Sequence, residues 1–254
     1  MHKNIILKKI QCISTNYDEL SSDIMLALMN QKKTIFIHLN MFNFTILTEN
    51  DDFLSRYSEY SRLYFEGIGM KIAAYILGQS WNNDTNGTDL YPILFNQLEK
   101  QELRIYLLGA TEVVINNAVT NIKAYFPKIQ LSGYSSGYFS EDNESKIIYD
   151  INSTGCDLLI LGMGMYREAD FLFKNYELLN VSAIWCVGGL FDFVSGNLPR
   201  APKAIRKIRL EWLYRFFVEP KAKFKRTFIT PLQFFPKIIY HHYTSNIFKE
   251  DIGT

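Results

Sequence analysis

The sequence predicts an α/β protein with a Rossmann-like, doubly wound and mostly parallel sheet, followed by a C-terminal basic helical appendage. Short apolar runs alternate with segments of helical periodicity, and short links join them, as in parallel sheets that are covered on both faces. Glycines follow several of the apolar runs, and the composition changes near Pro199. A chain of 254 residues suits one such domain. We expect residues 1–199 to form the sheet domain and residues 200–254 to form the appendage.

Each element of the first half depends on a local pattern. The run TIFIHLN is typical of a buried strand, and apolar residues that recur every three or four positions indicate helices. Asn50, and either Thr88 or Asp89, are the expected N-caps of two helices, and Gly78 ends a third. In chain order, these patterns predict an edge strand at 5–13, a helix at 17–30, a strand at 34–40, a helix at 50–60, a strand at 63–65 and helices at 67–78 and 90–100.

The second half repeats the alternation of strands and helices. LLILG is again typical of a buried strand, Ser140 begins a helix, and Pro127 stops the helix before it. In chain order, the prediction is a strand at 104–108, a helix at 111–125, a strand at 129–132, a helix at 140–152, a strand at 158–162, a helix at 167–179 and a strand at 183–187.

The charge of the chain is concentrated in one stretch. The net charge is +1, but residues 200–226 hold ten lysines and arginines against Glu211 and Glu219. This stretch therefore carries +8 and the remainder of the chain −7, a placement that favours an anionic partner. No nucleic-acid-binding motif accompanies the basic stretch, so nucleic acid is not the expected partner.

Features that the sequence lacks exclude several classes of protein. The three cysteines are widely spaced, which predicts neither a disulfide framework nor a metal site. No apolar run reaches the ~18 residues of a membrane span, and MHKNIILKKIQ lacks the features of a signal peptide. The run GMGMYRE lacks the third glycine of the dinucleotide fingerprint. We expect a cytoplasmic protein that uses no metal and no cofactor.

Candidate binding residues follow the ends of the predicted strands, because parallel sheets bind ligands beyond their carboxyl ends. Glycines at these ends let backbone N–H groups and helix N-termini approach an anion such as phosphate. The alternative is that these glycines only make tight turns. The residues are His38, Asn40, Gly67, Gly69, Gly109, Gly162, Gly164, Gly188, Gly189 and Asp192.

Glu66 is the candidate catalytic residue. It follows the strand LYF and opens a helix that is flanked by glycines. A carboxylate at this position is suited to take a proton from a hydroxyl group, an effect worth about 10²–10⁴-fold in rate. The alternative is a surface glutamate at a helix start, where the helix dipole favours a negative charge.

The runs GGLFDFVSG, RAP and EWLYRFFVEP occur in this order near the C-terminus. In sequence and spacing they resemble the signature of the WecG/TagA/CpsF family of bacterial glycosyltransferases, and the resemblance covers about residues 34–226. It implies an inverting, metal-independent enzyme of cell-envelope polysaccharide or capsule synthesis. Such an enzyme moves a sugar, of the N-acetylmannosamine type or another hexose, from a UDP-sugar to a polyprenyl-pyrophosphate-linked saccharide.

The resemblance also implies roles for single residues. The family's Asp-Gly-x-Gly run, whose aspartate is the proposed base, is Glu66-Gly67-Ile68-Gly69 in this chain. Glu66 is therefore the implied base, although its side chain is one methylene longer. Thr88 and Asp89 match the family's TGTDL run, and Glu168 lies where the family has a glutamine. These three residues are expected to bind the nucleotide-sugar.

Other positions depart further from the family pattern. Asp84 replaces an arginine, and the family's TLN run survives only as His38-Leu39-Asn40. These changes fit a member that has a different donor or acceptor. The alternative is a catalytically altered or inactive member that binds nucleotide-sugar or scaffolds other enzymes.

The basic appendage is expected to bind an anionic membrane surface at the inner face of the bacterial cell membrane. Its arginines would face phosphate, either of lipid or of UDP, and its aromatic side chains would enter the interface. The alternative for the aromatic residues is core packing or a subunit contact, and the sequence leaves open whether the chain forms a homo-oligomer. The residues are Arg206, Arg209, Arg215, Phe216, Phe217, Phe224 and Phe228.

Overall fold

One sheet organises the molecule. The computed structural model describes residues 3–7, 10–49, 55, 57, 61–79 and 85–250. The strands are β1 (Lys3–Leu7), β2 (Ile10–Ser14), β3 (Thr34–Leu39), β4 (Ser61–Phe65), β5 (Arg104–Gly109), β6 (Gln130–Ser135), β7 (Leu158–Gly162) and β8 (Ala183–Cys186).

The eight strands lie in the order β1-β2-β4-β3-β8-β7-β5-β6. β1 pairs with β2 in antiparallel fashion, and every other neighbouring pair is parallel. The predicted Rossmann-like, mostly parallel sheet is therefore confirmed. β3 pairs with β8, the last strand along the chain, and this pairing joins the two halves of the sheet.

Helices cover both faces of the sheet and continue into the appendage. A five-residue π-helical turn, Lys225–Ile229, precedes the last helix. The α-helices are α1 (Tyr17–Met29), α2 (Met41–Glu49), α3 (Ile68–Ile76), α4 (Gly87–Leu98), α5 (Glu112–Tyr125), α6 (Glu141–Ser153), α7 (Met165–Asn175), α8 (Leu190–Val194), α9 (Lys203–Lys207), α10 (Glu211–Val218), α11 (Pro220–Phe224) and α12 (Thr230–Glu250).

Of two predictions for the N-terminal region, the first needs correction and the second lies outside the described residues. The single edge strand expected at 5–13 is a hairpin, in which β1 and β2 pair from Lys3 with Ser14 to Leu7 with Ile10. The helix expected at 50–60 falls outside the described residues, apart from Ser55 and Tyr57.

Two helices also differ from the predictions for a physical reason. α2 has no predicted counterpart, because most of its residues are apolar and five are buried, so no polar face marks its periodicity. α4 begins at Gly87, earlier than predicted, because Asn86 is its N-cap. The Oδ1 atom of Asn86 accepts a hydrogen bond from the backbone N–H of Asp89 at 2.9 Å. The predicted caps Thr88 and Asp89 therefore lie inside the first turn.

The core has one layer on each face of the sheet, as the alternation of side chains along β3 shows. Ile35 and Ile37 pack into the layer under α2, α3, α6, α7 and α12, whereas Phe36 packs into the layer under α1, α4, α5 and α8. Within the second layer, the indole N–H of Trp185 donates to the hydroxyl of Tyr64 at 3.0 Å. Both faces are therefore closed, and the ends of the strands remain for a ligand.

The last helix of the appendage completes the core of the N-terminal half. α12 packs against α2 and α3. Its Phe234 and Ile238 are buried, and the ring of Phe234 meets the ring of Phe44 edge-on at a centroid distance of 5.2 Å. Among the described helices, none is both long enough and apolar enough to cross a membrane.

Candidate active site

A cavity of about 740 Å³ opens at the carboxyl ends of β3 and β4. The sheet side supplies a carboxylate, amides and glycines, and the appendage supplies cations and aromatic residues. Eight of the predicted site residues line this cavity: Asn40, Glu66, Gly67, Gly69, Asp89, Arg206, Arg209 and Arg215.

Glu66 is held on the cavity wall by the end of β4 and the start of α3. Its backbone N–H donates to the carbonyl of Leu39 at 2.9 Å, which locks the end of β4 to the end of β3. Gly67 follows with φ 92°, a conformation that side chains with a Cβ rarely adopt, and it caps α3. The Glu66 side chain is 20% exposed, so its carboxylate is partly shielded from water and still open to the cavity.

Asn40 presents an unused hydrogen-bond donor to the cavity. The residue is buried, and its Oδ1 accepts from the backbone N–H of Asn43 at 3.0 Å, which caps α2. Its Nδ2 is buried and has no partner within the described part of the chain. Because leaving a buried donor unpaired costs roughly 1–3 kcal/mol, Asn40 is suited to a ligand oxygen.

An ionic network joins the sheet domain to the appendage along one side of the cavity. Asp89, at the start of α4, lies 3.1 Å from Arg200 and 3.3 Å from Arg206. Glu211 contacts Arg200 and Arg215, each at 3.2 Å. The two carboxylates therefore hold three guanidinium groups in place, and two of these groups, those of Arg206 and Arg215, line the cavity.

Several cavity-lining residues of the appendage are absent from the sequence-based site prediction, and three of them change the character of the cavity most. Arg226 and Lys223 add positive charge, and Trp212 adds an aromatic wall. Arg226 lies over the ring of Phe42, with its guanidinium carbon 5.9 Å from the ring centroid. The basic run KAKFKR marked this region in the sequence, but nothing in it identified which of its cations faces the site.

Eight further predicted residues follow strand ends or start helices nearby, but they are not among the lining residues of this cavity. Two of the glycines have a packing reason to be glycine. A Cβ on Gly109 would strike the backbone of Gly162, and a Cβ on Gly162 would lie 2.6 Å from the ring of Phe191. The eight residues are Thr88, Gly109, Gly162, Gly164, Glu168, Gly188, Gly189 and Asp192.

Glu168 and Asp192 have carboxyl groups in partly or fully buried surroundings. The Oε1 atom of Glu168 accepts hydrogen bonds from the backbone N–H groups of Met163 and Gly164, each at 3.0 Å. Burial raises the pKa of Glu168, and these hydrogen bonds act in the opposite direction. Burial also raises the pKa of Asp192. Glu168 thus stabilises the turn between β7 and α7.

His38, near the end of β3, is one of the predicted strand-end residues and is a buried neighbour of Glu66. Its Nε2 atom lies 4.0 Å from Oε2 of Glu66 and 3.2 Å from Nδ2 of Asn43. Its Nδ1 atom lies 3.2 Å from the carbonyl oxygen of Cys186. Across the described ranges, no group of three or more His, Cys, Asp or Glu residues could hold a metal ion.

Comparison with known proteins identifies the family. The model of the glycosyl transferase WecG/TagA/CpsF family matches residues 5–246. The chain belongs to this family. The resemblance seen in the three C-terminal motifs is thereby confirmed, and the chain is a glycosyltransferase.

Relatives of this WecG/TagA/CpsF family member share one name, which states their activity. Three similar proteins are each named N-acetylglucosaminyldiphosphoundecaprenol N-acetyl-beta-D-mannosaminyltransferase. The protein of Bacillus spizizenii is 28% identical over 72% of each chain. That of Bacillus subtilis is 30% identical over 61% of this chain and 60% of its own. That of Staphylococcus aureus is 23% identical over 84% of this chain and 86% of its own.

Proposed function

We propose that this family member transfers a sugar from a UDP-sugar to a polyprenyl-pyrophosphate-linked saccharide in cell-envelope polysaccharide synthesis. The observation that best supports this proposal is that one cavity combines the Glu66 carboxylate with cations from the appendage. A base and a cluster of cations are what the two ends of such a transfer require. The names of the relatives support N-acetylmannosamine as the sugar and a diphosphoundecaprenol-linked N-acetylglucosamine as the acceptor.

Glu66 is the proposed general base. A hydroxyl group of the acceptor approaches the anomeric carbon from the face opposite UDP, and Glu66 accepts its proton as the new bond forms. A single displacement of this kind inverts the configuration at the anomeric carbon. The partial burial of Glu66 places the carboxylate at the boundary between the cavity and the protein, within reach of a bound hydroxyl group.

Cations of the appendage stabilise the departing UDP in this proposal. Negative charge grows on the diphosphate as the bond to the sugar breaks, and arginine forks suit phosphate oxygens. Arg206 and Arg215 are already oriented by Asp89 and Glu211, so little ordering is needed when UDP-sugar binds. Arg209 and Arg226 add charge, and Nδ2 of Asn40 donates to an oxygen of the ligand. No step uses a metal ion.

The appendage also brings the enzyme to its lipid-linked acceptor. It contains a phenylalanine cluster formed by Phe216, Phe217, Phe224 and Phe228. The ring of Phe216 contacts those of Phe217 and Phe228, and Phe228 contacts Phe224, with centroid distances of 5.0–5.6 Å. Phe217 is 72% exposed and Phe224 is 52% exposed. Exposed aromatic residues beside lysines are suited to the interface of an anionic membrane, so we infer a peripheral location at the inner face of the cell membrane.

A second candidate is a member that binds nucleotide-sugar without transferring the sugar. The observation that favours it is the glutamate at position 66, whose longer arm moves the carboxylate by over ~1 Å, a displacement that can cost about 10²-fold in rate. The structure places this carboxylate on the cavity wall, and an assay decides between the two candidates.

The test is sugar transfer by the full-length protein on anionic vesicles that contain a diphosphoundecaprenol-linked N-acetylglucosamine. A panel of UDP-sugars is supplied in the presence of EDTA, and both transfer and hydrolysis are followed. We expect transfer of N-acetylmannosamine or a related hexose, with inversion. UDP-sugar binding without transfer or hydrolysis would favour the second candidate, and a requirement for Mg²⁺ or Mn²⁺ would contradict the metal-free mechanism.

A further inference from the structure

The ring of His38 is held in one tautomer by its neighbours. Its Nδ1 atom lies 3.2 Å from the carbonyl oxygen of Cys186. A carbonyl oxygen can only accept a hydrogen bond, so Nδ1 carries a hydrogen and donates it. Because His38 is 8% exposed and lies on a strand that is buried along its whole length, this contact fixes the plane of the ring.

Asn43 determines the state of the other ring nitrogen. Its Nδ2 atom donates to the backbone carbonyl of His38 at 3.0 Å, which assigns the nitrogen of the amide to this side. The same Nδ2 lies 3.2 Å from Nε2 of His38. An amide nitrogen can only donate, so Nε2 is the acceptor and has no hydrogen. His38 is therefore a neutral imidazole with a lone pair at Nε2.

Two carboxyl groups interact with this imidazole. The Oε2 atom of Glu66 is 4.0 Å from Nε2. The ring is also close to Gly188, where an added Cβ would lie 3.4 Å from Cε1 of His38. The buried carboxyl group of Glu168 accepts a hydrogen bond from the backbone of Gly188 and interacts electrostatically with His38. A positive charge on His38 would thus interact favourably with both carboxyl groups.

We propose that His38 is a positioning residue that acts through Glu66 by receiving the proton that Glu66 takes from the acceptor. The inference deepens the proposed function and rests on it. Glu66 and His38 both depart from the family pattern, and the structure brings the two departures together. The separation of 4.0 Å closes to a hydrogen bond by a movement of about 1 Å, as is common when a ligand fills a catalytic site.

The transfer moves one proton and two electron pairs. The O–H bond of the acceptor breaks, its electron pair forms the bond to the anomeric carbon, and its proton binds Oε2 of Glu66. The bond from the anomeric carbon to UDP breaks, and its pair leaves with the diphosphate. Nε2 of His38 then gives up its hydrogen bond from the N–H of Asn43 and accepts one from the carboxyl O–H of Glu66. The proton moves along this new hydrogen bond to Nε2. This regenerates the Glu66 carboxylate, and the imidazolium returns the proton to water when the product leaves.

Two substitutions separate this role from packing. His38→Gln places an amide near the position of Nε2, where it can hydrogen-bond but cannot take a proton. His38→Asn places an amide near the position of Nδ1, where it keeps the contact with Cys186. We expect kcat to fall by roughly 10- to 100-fold in both, with KM for the UDP-sugar changed by less than about twofold. Wild-type kcat in the folded His38→Gln protein would overturn the relay.

A double variant tests whether His38 acts through Glu66. If the two residues work as a unit, Glu66→Gln/His38→Gln should transfer sugar no more slowly than Glu66→Gln alone. Losses that multiply would overturn the inference. Wild-type protein that binds UDP-sugar but transfers nothing overturns the proposed function and the relay together. Wild-type protein that transfers sugar, with His38→Gln equally active, overturns the relay alone.

A spectroscopic test does not depend on variants of His38 being folded. The chain has four histidines, so replacing His2, His241 and His242 by Asn leaves His38 as the sole histidine. In the nitrogen-15 spectrum of this protein we expect an imidazole with hydrogen on Nδ1 and none on Nε2. A ring with hydrogen on Nε2 would have no lone pair toward Glu66, and it would overturn the relay whatever the kinetics.

Discussion

The most direct test of the proposed base is to replace one carboxylate oxygen of Glu66 by an amide nitrogen. Glu66→Gln keeps the shape of the side chain and removes its basicity, so transfer should fall by roughly 100-fold or more while UDP affinity changes little. Glu66→Asp is the matched variant, because it restores the carboxylate on the shorter arm that the family pattern has. Transfer rates and titration calorimetry with UDP measure the two effects. Full activity in Glu66→Gln would refute the assignment of the base.

Asn40 allows the helix cap and the ligand contact to be separated. Asn40→Asp keeps the oxygen that caps α2 but replaces the unpaired Nδ2 by a second oxygen. We expect the Kd for UDP to rise by about 10-fold or more, because a hydrogen bond to a charged ligand is worth about 1.5–3 kcal/mol. Thermal unfolding should change little. Asn16→Asp is the control, since Asn16 also caps a helix and lines the cavity; an equal loss in both variants would indicate a general charge effect.

Single residues were predictable where the backbone alone determines their place. Glu66 and Asn40 follow strand ends, and in a parallel sheet that position leads to the ligand side. Glu168 has a comparable position in sequence, yet its side chain turns back to cap the loop after β7. The position of His38 near a strand end marked it as a candidate, but one polar residue in a buried strand looks the same in sequence whether it is satisfied by the core or faces a carboxylate.

At the scale of elements, the contact between the ends of β5 and β7 depends on two glycines. Gly109→Ala would drive a Cβ into the backbone of Gly162, which cannot move as a flexible side chain can. We expect a loss of roughly 1–3 kcal/mol in the free energy of unfolding, as in overpacked cores. Urea denaturation measures it. Gly87→Ala, where the nearest atom would be 3.8 Å away, is the control and should be nearly neutral; equal stability of the two variants would argue against the close contact.

The elements also show where sequence patterns stop being informative. α1 follows its predicted bounds, because Asn16 forms a capping box with Glu19 and the apolar residues keep helical spacing. α2 does not alternate in this way, since it contacts both β3 and α12 and five of its nine residues are buried. A helix that is buried nearly all round has no polar face, and only the tertiary structure distinguishes it from a strand.

For the whole molecule, the main prediction concerns the membrane. Phe217→Ser/Phe224→Ser removes two exposed rings of the phenylalanine cluster without touching the buried Phe234 and Ile238. Binding to anionic vesicles should weaken by about 10-fold or more, because a fully buried phenylalanine contributes about 1.5–3 kcal/mol. Cosedimentation measures it. The control is Val113→Ser/Leu178→Ser, which changes exposed apolar residues of the sheet domain. Unchanged vesicle binding in the appendage variant would assign the cluster to another contact.

Strand order is the part of the whole that the sequence left undetermined. Alternating patterns predict a parallel sheet, but they do not state that β8 lies beside β3. That one pairing brings the carbonyl of Cys186 to His38 and, with β4 on the other side of β3, places Glu66 beside the same ring. The arrangement of His38 and Glu66 therefore depends on long-range pairing, which local patterns do not encode.

The contact of Phe234 with Phe44 has a consequence for the order of events during synthesis. β3 and α2 leave the ribosome early, yet β3 awaits β8 and α2 awaits α12, and both partners come from the last third of the chain. Because closing such long loops is slow, the nascent N-terminal half exposes a strand edge and an apolar helix until translation is nearly finished. A chain cut short by premature termination would then lack both the cations of the site and the cover of its core, so truncated products should be removed rather than act on lipid.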